Sequence, residues 1–179
     1  MSLAEYTLLA ASSLFVIVDP LAVVPAFIAM TVSDEPEHRV RMARLASFVV
    51  AGVLLFFALT GELIFKILGI TMPAFQIAAS VVLLLIAVDM LRAQRSRVQQ
   101  THEETAAGVE KNDIAVTPLA VPMLAGPGAI STVVLLQNEA RGVAQHLALY
   151  ACIGGVAVAT YFTLKISSRG AKWLNPIIM

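Results

Sequence analysis

The sequence is poor in charged residues, and this scarcity excludes an ordinary soluble domain. Only 13% of its 179 residues are Asp, Glu, Lys or Arg, whereas charged residues make up about a quarter of a typical soluble domain. Hydrophobic residues account for 59% of the chain, and the mean hydropathy is +0.85. The composition therefore predicts a protein whose surroundings are lipid.

Cysteine and histidine are scarce as well, which removes two other classes of site. Cys152 is the only cysteine, so an intramolecular disulfide is excluded, and nothing in the sequence indicates a redox function. His38, His102 and His146 are scattered along the chain without the spacing of metal ligands. We therefore expect no metal site and no bound cofactor, and no feature predicts nucleic-acid binding.

Long uncharged runs divide the chain into segments that can cross a bilayer. Four runs approach or exceed the roughly 17 to 25 residues that a transmembrane helix needs, and a fifth is interrupted only by Asp19. In lipid such runs are helical, because a helix satisfies its own backbone hydrogen bonds. No basic residue precedes the first run and no cleavage pattern follows it, so we expect a retained span. The predicted spans cover about residues 6–32, 45–66, 67–91, 114–138 and 146–165.

The placement of lysine and arginine predicts the orientation, because cytoplasmic loops are enriched in these residues. With the N-terminus outside, ten basic residues face the cytoplasm and only Lys66 and Arg141 face outward. If the two proline-bearing segments turned back without crossing, the split would be eight against four. Two full crossings are therefore favoured, with the polar loop at 92–113 in the cytoplasm. The inward-facing residues are Arg39, Arg41, Arg44, Arg92, Arg95, Arg97, Lys111, Lys165, Arg169 and Lys172.

A short phrase occurs twice, once in the first span and once at the start of the fourth. It reads Pro20-Leu21-Ala22-Val23-Val24-Pro25 and then Pro118-Leu119-Ala120-Val121-Pro122. Proline interrupts a helix, because it lacks the amide hydrogen and its ring collides with the preceding turn. Two broken helices at matching positions indicate an inverted repeat, since a unit with an odd number of spans inserts its second copy upside down.

The predicted fold is therefore an all-α, polytopic transmembrane helix bundle made of two inverted units of three spans, each opening with a broken helix. Residues 1–91 form the first unit, 92–113 the connecting loop and 114–179 the second unit. The second unit contains only two spans, so a sixth is missing. We expect that the sequence is partial, and a true five-span protein is the alternative.

Asp19 is the one acidic residue in the middle of a predicted span. A charge at that depth costs roughly 2.5–3.5 kcal/mol on insertion scales, which makes such a residue a functional candidate. An Asp directly before a proline can also cap the following half-helix by accepting its amide hydrogens. Two interpretations stay open: capping alone, or capping together with substrate or proton binding.

The fourth span contains Gly126-Pro127-Gly128, followed by Ala129, Ile130, Ser131 and Thr132. Pro127 cannot continue a preceding helix, and a new helix can begin just after the two glycines. Its unpaired amides and partial positive charge favour a carboxylate. Carbonyls left unpaired by Pro122 and Pro127 can accept from an ammonium group. One cavity would then suit a zwitterion, whereas the alternative is a kink used only for close helix packing.

These motifs resemble the MarC family of integral membrane proteins (UPF0056-type). The resemblance runs over the whole chain and is most specific at Pro118 to Ile130. It implies six spans in two repeats, a kinship with LysE-type amino-acid exporters, transport of small neutral amino acids such as alanine and glycine, and a location in the bacterial or archaeal plasma (inner) membrane. The family pattern often has Asn and Gly where this chain has Asp19 and Ala22, which could alter ion coupling, and it usually continues into a sixth helix.

We therefore expect a secondary transporter of small neutral amino acids that works by alternating access, and not an enzyme. A channel or proton-conducting pore and a non-transporting scaffold are the alternatives. The expected partners are the lipid bilayer and a small zwitterionic solute, with H⁺ or Na⁺ as the coupling ion. The substrate, the direction of transport and the oligomeric state, including a homo-oligomer, stay open. The candidate binding residues are Asp19, Pro20, Pro25, Pro118, Pro122, Gly126, Pro127, Gly128, Ala129, Ser131 and Thr132.

Overall fold

The computed structural model is helical throughout the part of the chain that it describes. It describes residues 1–31, 34–71, 73–75, 77–78, 80–81, 84, 88, 119–120 and 123–174, and side chains through residue 168. No strand occurs in these ranges, which confirms the all-α prediction for them. The helices with described bounds are α1 (Leu3–Val18), α2 (Val24–Met30), α3 (Pro36–Leu68), α4 (Pro127–Glu139) and α5 (Gly142–Leu174). Residues 73–75, 77–78, 80–81, 84 and 88 are helical as well.

Local signals set the ends of the first helices. The Ser2 hydroxyl accepts the Glu5 amide and the Glu5 carboxylate accepts the Ser2 amide, a capping box that starts α1. Pro36 is the first residue of α3, where its missing amide hydrogen costs nothing. Gly69 ends α3 in the left-handed region, with φ of 65°, a conformation that glycine adopts without strain.

Within the part of the chain that the structure describes, two helices are long and apolar enough to cross a membrane by themselves: α3, and α5 from Gly142 to Ser168. The helix α1 is apolar but shorter, with 16 residues. The predicted span at 45–66 lies inside α3, which begins earlier because Arg39, Arg41 and Arg44 belong to its first turns.

Hydrogen bonds define how the helices run relative to one another. The Gln145 side chain donates to the Met1 carbonyl, and the Cys152 thiol lies 3.8 Å from the Thr7 carbonyl, so α1 and α5 are parallel. The Gln137 side chain donates to the Tyr150 hydroxyl at 3.2 Å across the short connection between α4 and α5, so these two helices are antiparallel. The first turns of α3 share a cavity with the end of α5, so this pair is antiparallel too.

The core lies where α1, α3, α4 and α5 meet. The Tyr6 side chain is fully buried, and its hydroxyl donates to the Leu136 carbonyl at 2.8 Å, which ties the start of α1 to the end of α4. The Gly61 backbone packs directly against Val134. The largest fully buried side chains are Tyr6, Leu14, Val18, Phe27, Met42, Val50, Leu54, Leu119, Leu124, Leu149, Ile153 and Leu164.

The three-span inverted repeat stays a prediction. Eleven of the 25 residues of the predicted third span at 67–91, the whole loop at 92–113 and the segment 114–118 lie outside the described residues. What the structure establishes is a helical bundle with two clear membrane-span candidates.

Candidate functional site

The first break separates α1 from α2. α1 ends at Val18, and Asp19 follows in the left-handed region with φ of 41° and ψ of 70°. The Asp19 amide still donates to the Phe15 carbonyl at 3.0 Å. α2 begins only at Val24, so the helix is interrupted in the interior of the predicted first span, as the prolines predict.

The Asp19 side chain stabilises this break in a way that differs from the predicted capping. Its Oδ1 accepts the Ala22 amide at 3.2 Å, and Ala22 lies in the turn before α2. The N-cap of α2 is Val23, which has no side-chain cap. Asp19 therefore holds the turn rather than capping the second half-helix, because the chain needs several more residues before it returns to helical geometry. The carboxylate is exposed.

The two prolines of this break have different surroundings. Pro20 is buried. Pro25 is exposed and lies in the first turn of α2, where its missing amide hydrogen is tolerated.

The second break precedes α4. Leu119, Ala120, Met123 and Leu124 have π-helical geometry, and the Ala125 amide donates to the Ala120 carbonyl at 2.8 Å. Gly126 is extended, with φ of −77° and ψ of 177°, and serves as N-cap without a side-chain cap. α4 starts at Pro127, two residues before the predicted start just after Gly128. Pro118 and Pro122 lie outside the described residues.

The start of α4 presents buried backbone amides. Gly128 and Ala129 are buried, and their amides belong to the first turn, which has no intrahelical acceptors. Among the described residues no backbone carbonyl outside the helix accepts from either of them. The first turn contains no acidic residue, so the partial positive charge of the helix start is not neutralised from within α4.

Two hydroxyl groups follow on the same helix. Ser131 is half-buried, and its Oγ donates to the Gly128 carbonyl at 3.0 Å. Thr132 is half-buried as well.

Pro127 has no amide hydrogen for the Met123 carbonyl, so this carbonyl lacks its usual helical donor.

The two breaks lie at similar depth in the bundle. Since α1 and α4 are antiparallel and meet at Tyr6 and Leu136, the rise of 1.5 Å per residue fixes their levels. Pro127 is about 13.5 Å along α4 from Leu136, and the same distance along α1 from Tyr6 reaches Phe15. Asp19 is about 6 Å further along.

The contact between α3 and α4 shows that the start of α4 lies at the level of the apolar part of the bundle. These helices are parallel and meet at Gly61 and Val134. Pro127 is about 10.5 Å from Val134 along the axis, which reaches Leu54 on α3. Leu54 is fully buried and lies in the middle of the uncharged run from Leu45 to Gly61.

Part of the site was not visible in the sequence. The prolines and glycines predict where the helices break, but the π-helical turn and the bond from Ala22 to Asp19 depend on backbone geometry that proline spacing does not specify. The one signal that could have indicated this turn is Asp19 itself, because Asp side chains often accept a hydrogen bond from a backbone amide a few residues later in a turn. Among the described residues no group of three or more His, Cys, Asp or Glu side chains could hold a metal ion.

Comparisons with known proteins agree with the motifs. The family described as "MarC family integral membrane protein" matches residues 4–175. The UPF0056 membrane protein MJ1677 of Methanocaldococcus jannaschii is 38% identical over 161 residues, which cover 89% of this chain and 78% of that protein. The UPF0056 membrane protein YvbG of Bacillus subtilis is 34% identical over 165 residues, with the same coverage of 89% and 78%.

The similarity also reaches more distant relatives. The UPF0056 membrane protein YhcE of Escherichia coli is 27% identical over 165 residues, covering 92% of this chain and 75% of that protein. No solved structure shows significant similarity. Because the family match includes both broken helices and both long apolar helices, the chain belongs to the MarC family of integral membrane proteins.

Proposed function

We propose that this protein is a secondary transporter that moves small neutral amino acids, such as alanine and glycine, by alternating access. The observation that carries the proposal is the pair of buried amides of Gly128 and Ala129 at the start of α4, at nearly the depth of the break at Asp19. Discontinuous helices at matching places in two repeats are typical of transporter binding sites.

The amides of Gly128 and Ala129 would hold the substrate carboxylate. A buried amide without a partner is costly, by about 1–3 kcal/mol, and a carboxylate at a helix start supplies both the acceptor and the complementary charge. The hydroxyl groups of Ser131 and Thr132 lie within the next turn of the same helix.

The ammonium group of the substrate would lie towards the first break. The carbonyl of Met123 lacks its usual helical donor, because Pro127 has no amide hydrogen. Asp19 supplies a negative charge about 6 Å beyond the level of Pro127 along the bundle axis. This offset along the axis is compatible with a small amino acid whose carboxylate lies at the α4 amides and whose ammonium group faces the first break. Asp19 is also the residue that would carry H⁺ or Na⁺ coupling.

Flux of labelled alanine in proteoliposomes of the full-length protein tests the proposal. We expect Gly128→Leu to reduce the initial rate by at least tenfold, because the added side chain fills the space beside the buried amides. Gly52→Leu is the matched control, since Gly52 lies on α3 with open space around it, and it should leave the flux unchanged.

The outcome separates the candidate functions. A rate that saturates with alanine concentration and falls only in Gly128→Leu supports the transporter. A rate that never saturates indicates a channel. Equal rates in Gly128→Leu and Gly52→Leu would contradict a substrate site at α4. The break would then be only a packing kink, as expected for a non-transporting scaffold.

A further inference from the structure

A basic cavity lies between the start of α3 and the end of α5. Its volume is about 710 Å³, which is within the roughly 300–1,000 Å³ of small-ligand sites. Arg41, Arg44 and Lys165 line it, and Glu37 is the one acidic side chain in its described lining. Three positive charges against one negative charge favour an anionic ligand.

The cavity lies at the edge of the apolar part of the bundle. Arg44 directly precedes the uncharged run from Leu45 to Gly61, and Lys165 directly follows the uncharged run from Leu147 to Leu164. Because α3 and α5 are antiparallel, both basic residues lie on the same side of the membrane. Their depth is where the hydrocarbon ends and lipid phosphate groups begin.

The ammonium group of Lys165 is positioned by the fold. Its Nζ lies 5.2 Å from the centroid of the Tyr161 ring, and the side chain is half-buried. Ser168 is buried, and its hydroxyl donates to the Lys165 carbonyl at 2.7 Å. The stem of Lys165 therefore packs against the protein while its charge lines the cavity.

Exposed apolar side chains continue from the cavity into the membrane. Phe48 is 77% exposed and lies one turn after Arg44, on the side of the hydrocarbon. Ile166 is 69% exposed and follows Lys165 directly. A ligand that combines a phosphate group with acyl chains would contact both the basic cavity and this apolar surface, whereas a free phosphate ion would use only the cavity.

We propose that this cavity binds the headgroup of an anionic phospholipid, with Arg44 and Lys165 contacting the phosphodiester and Arg41 contacting the outer part of the headgroup. Basic pockets between transmembrane helices are suited to such headgroups. The net positive charge of the cavity selects against a zwitterionic lipid, because a choline group would bring a second cation next to Arg41.

Lipid titration of the purified full-length protein in detergent, followed by native mass spectrometry, tests the site. We expect phosphatidylglycerol to bind more tightly than phosphatidylcholine. Replacing any one of the three basic residues should weaken phosphatidylglycerol binding by about fivefold, because one such charge contributes about 1 kcal/mol. The triple change Arg41→Gln, Arg44→Gln and Lys165→Gln should abolish the preference for the anionic lipid.

Two controls keep the result specific to this cavity. Lys66→Gln with Arg141→Gln removes two exposed cations at the opposite end of α3 and α5 and should leave the preference unchanged. Lys165→Arg keeps the charge and should retain binding, which separates loss of charge from loss of folding. An unchanged preference in the triple variant, or an equal loss in the opposite-end variant, would overturn the proposal. Displacement of the lipid by inorganic phosphate at an equal concentration would overturn the lipid assignment and indicate a site for a soluble anion.

Discussion

Asp19 combines a backbone requirement with a charge in the first break. Its φ of 41° is a conformation that Asp and Asn tolerate better than other residues with a Cβ. Its carboxylate accepts the Ala22 amide, and an Asn side-chain oxygen can accept the same bond. The structural role therefore needs an acceptor in this position, whereas the proposed functional role needs the negative charge.

Substitutions at Asp19 should separate these two roles. We expect Asp19→Asn to keep the thermal unfolding midpoint of the purified protein near that of the parent while it changes alanine flux or its dependence on a proton or sodium gradient. Asp19→Ala should lower the free energy of unfolding by about 1–3 kcal/mol, because it loses the hydrogen bond and places alanine in the left-handed region. Equal stability of the Asn and Ala variants would contradict the structural role of the side chain.

The helices α3 and α4 approach each other closely at one glycine. A Cβ added at Gly61 would lie 2.5 Å from Cγ2 of Val134 and 3.2 Å from its Cγ1. Valine is restricted at χ1 in a helix and cannot easily turn away. The position of α4, and with it the level of the amides of Gly128 and Ala129, depends on this contact.

Gly61→Ala should therefore destabilise the bundle even though alanine is the better helix former by about 1 kcal/mol. Overpacking costs about 1–3 kcal/mol, so we expect a lower thermal unfolding midpoint. Val134→Ala in the same chain should restore part of the loss, because it removes both methyl groups from the contact. Gly52→Ala, with open space around Gly52, is the control and should not lower the midpoint. A midpoint for Gly61→Ala at or above that of the parent would show that the helices separate freely at this point.

At the scale of the whole molecule, the arrangement of the helices predicts which segments share a membrane face. α1 and α5 begin at the same end of the bundle, whereas α3 begins at the opposite end. The distribution of lysine and arginine predicts the orientation of the bundle in the membrane, with the first residues of α1 and α5 on the outer side.

Labelling of single cysteines in intact cells tests this topology in a Cys152→Ser background. A membrane-impermeant thiol reagent should label Glu5→Cys and Val143→Cys from outside, whereas Glu37→Cys should react only after the membrane is opened. All three original residues are exposed in the bundle. If only Glu37→Cys is labelled in intact cells, the protein has the opposite orientation in the membrane. Labelling of Glu5→Cys and Val143→Cys from different sides would contradict the helix arrangement.

The sequence predicts the helical class and both breaks because hydropathy and proline act locally. The interruption after Val18 and the new helix at Gly126-Pro127-Gly128 follow from the prolines and glycines at these positions, although α4 starts at Pro127 and not after Gly128. The length of α3 does not, because Arg39, Arg41 and Arg44 are good helix formers that hydropathy alone assigns to a loop. The packing of Gly61 on Val134 could not be predicted either, since it depends on which helices become neighbours.

Substrate protection of a cysteine at the second break tests the central claim most directly. In a Cys152→Ser background, Ser131→Cys places a thiol one turn from the buried amides, and Ser12→Cys places an equivalent thiol on the exposed face of α1. If a small amino acid binds at the start of α4, alanine will slow alkylation of Ser131→Cys in a concentration-dependent way and leave Ser12→Cys unaffected. Alkylation rates of Ser131→Cys that do not change at any alanine or glycine concentration would contradict the account.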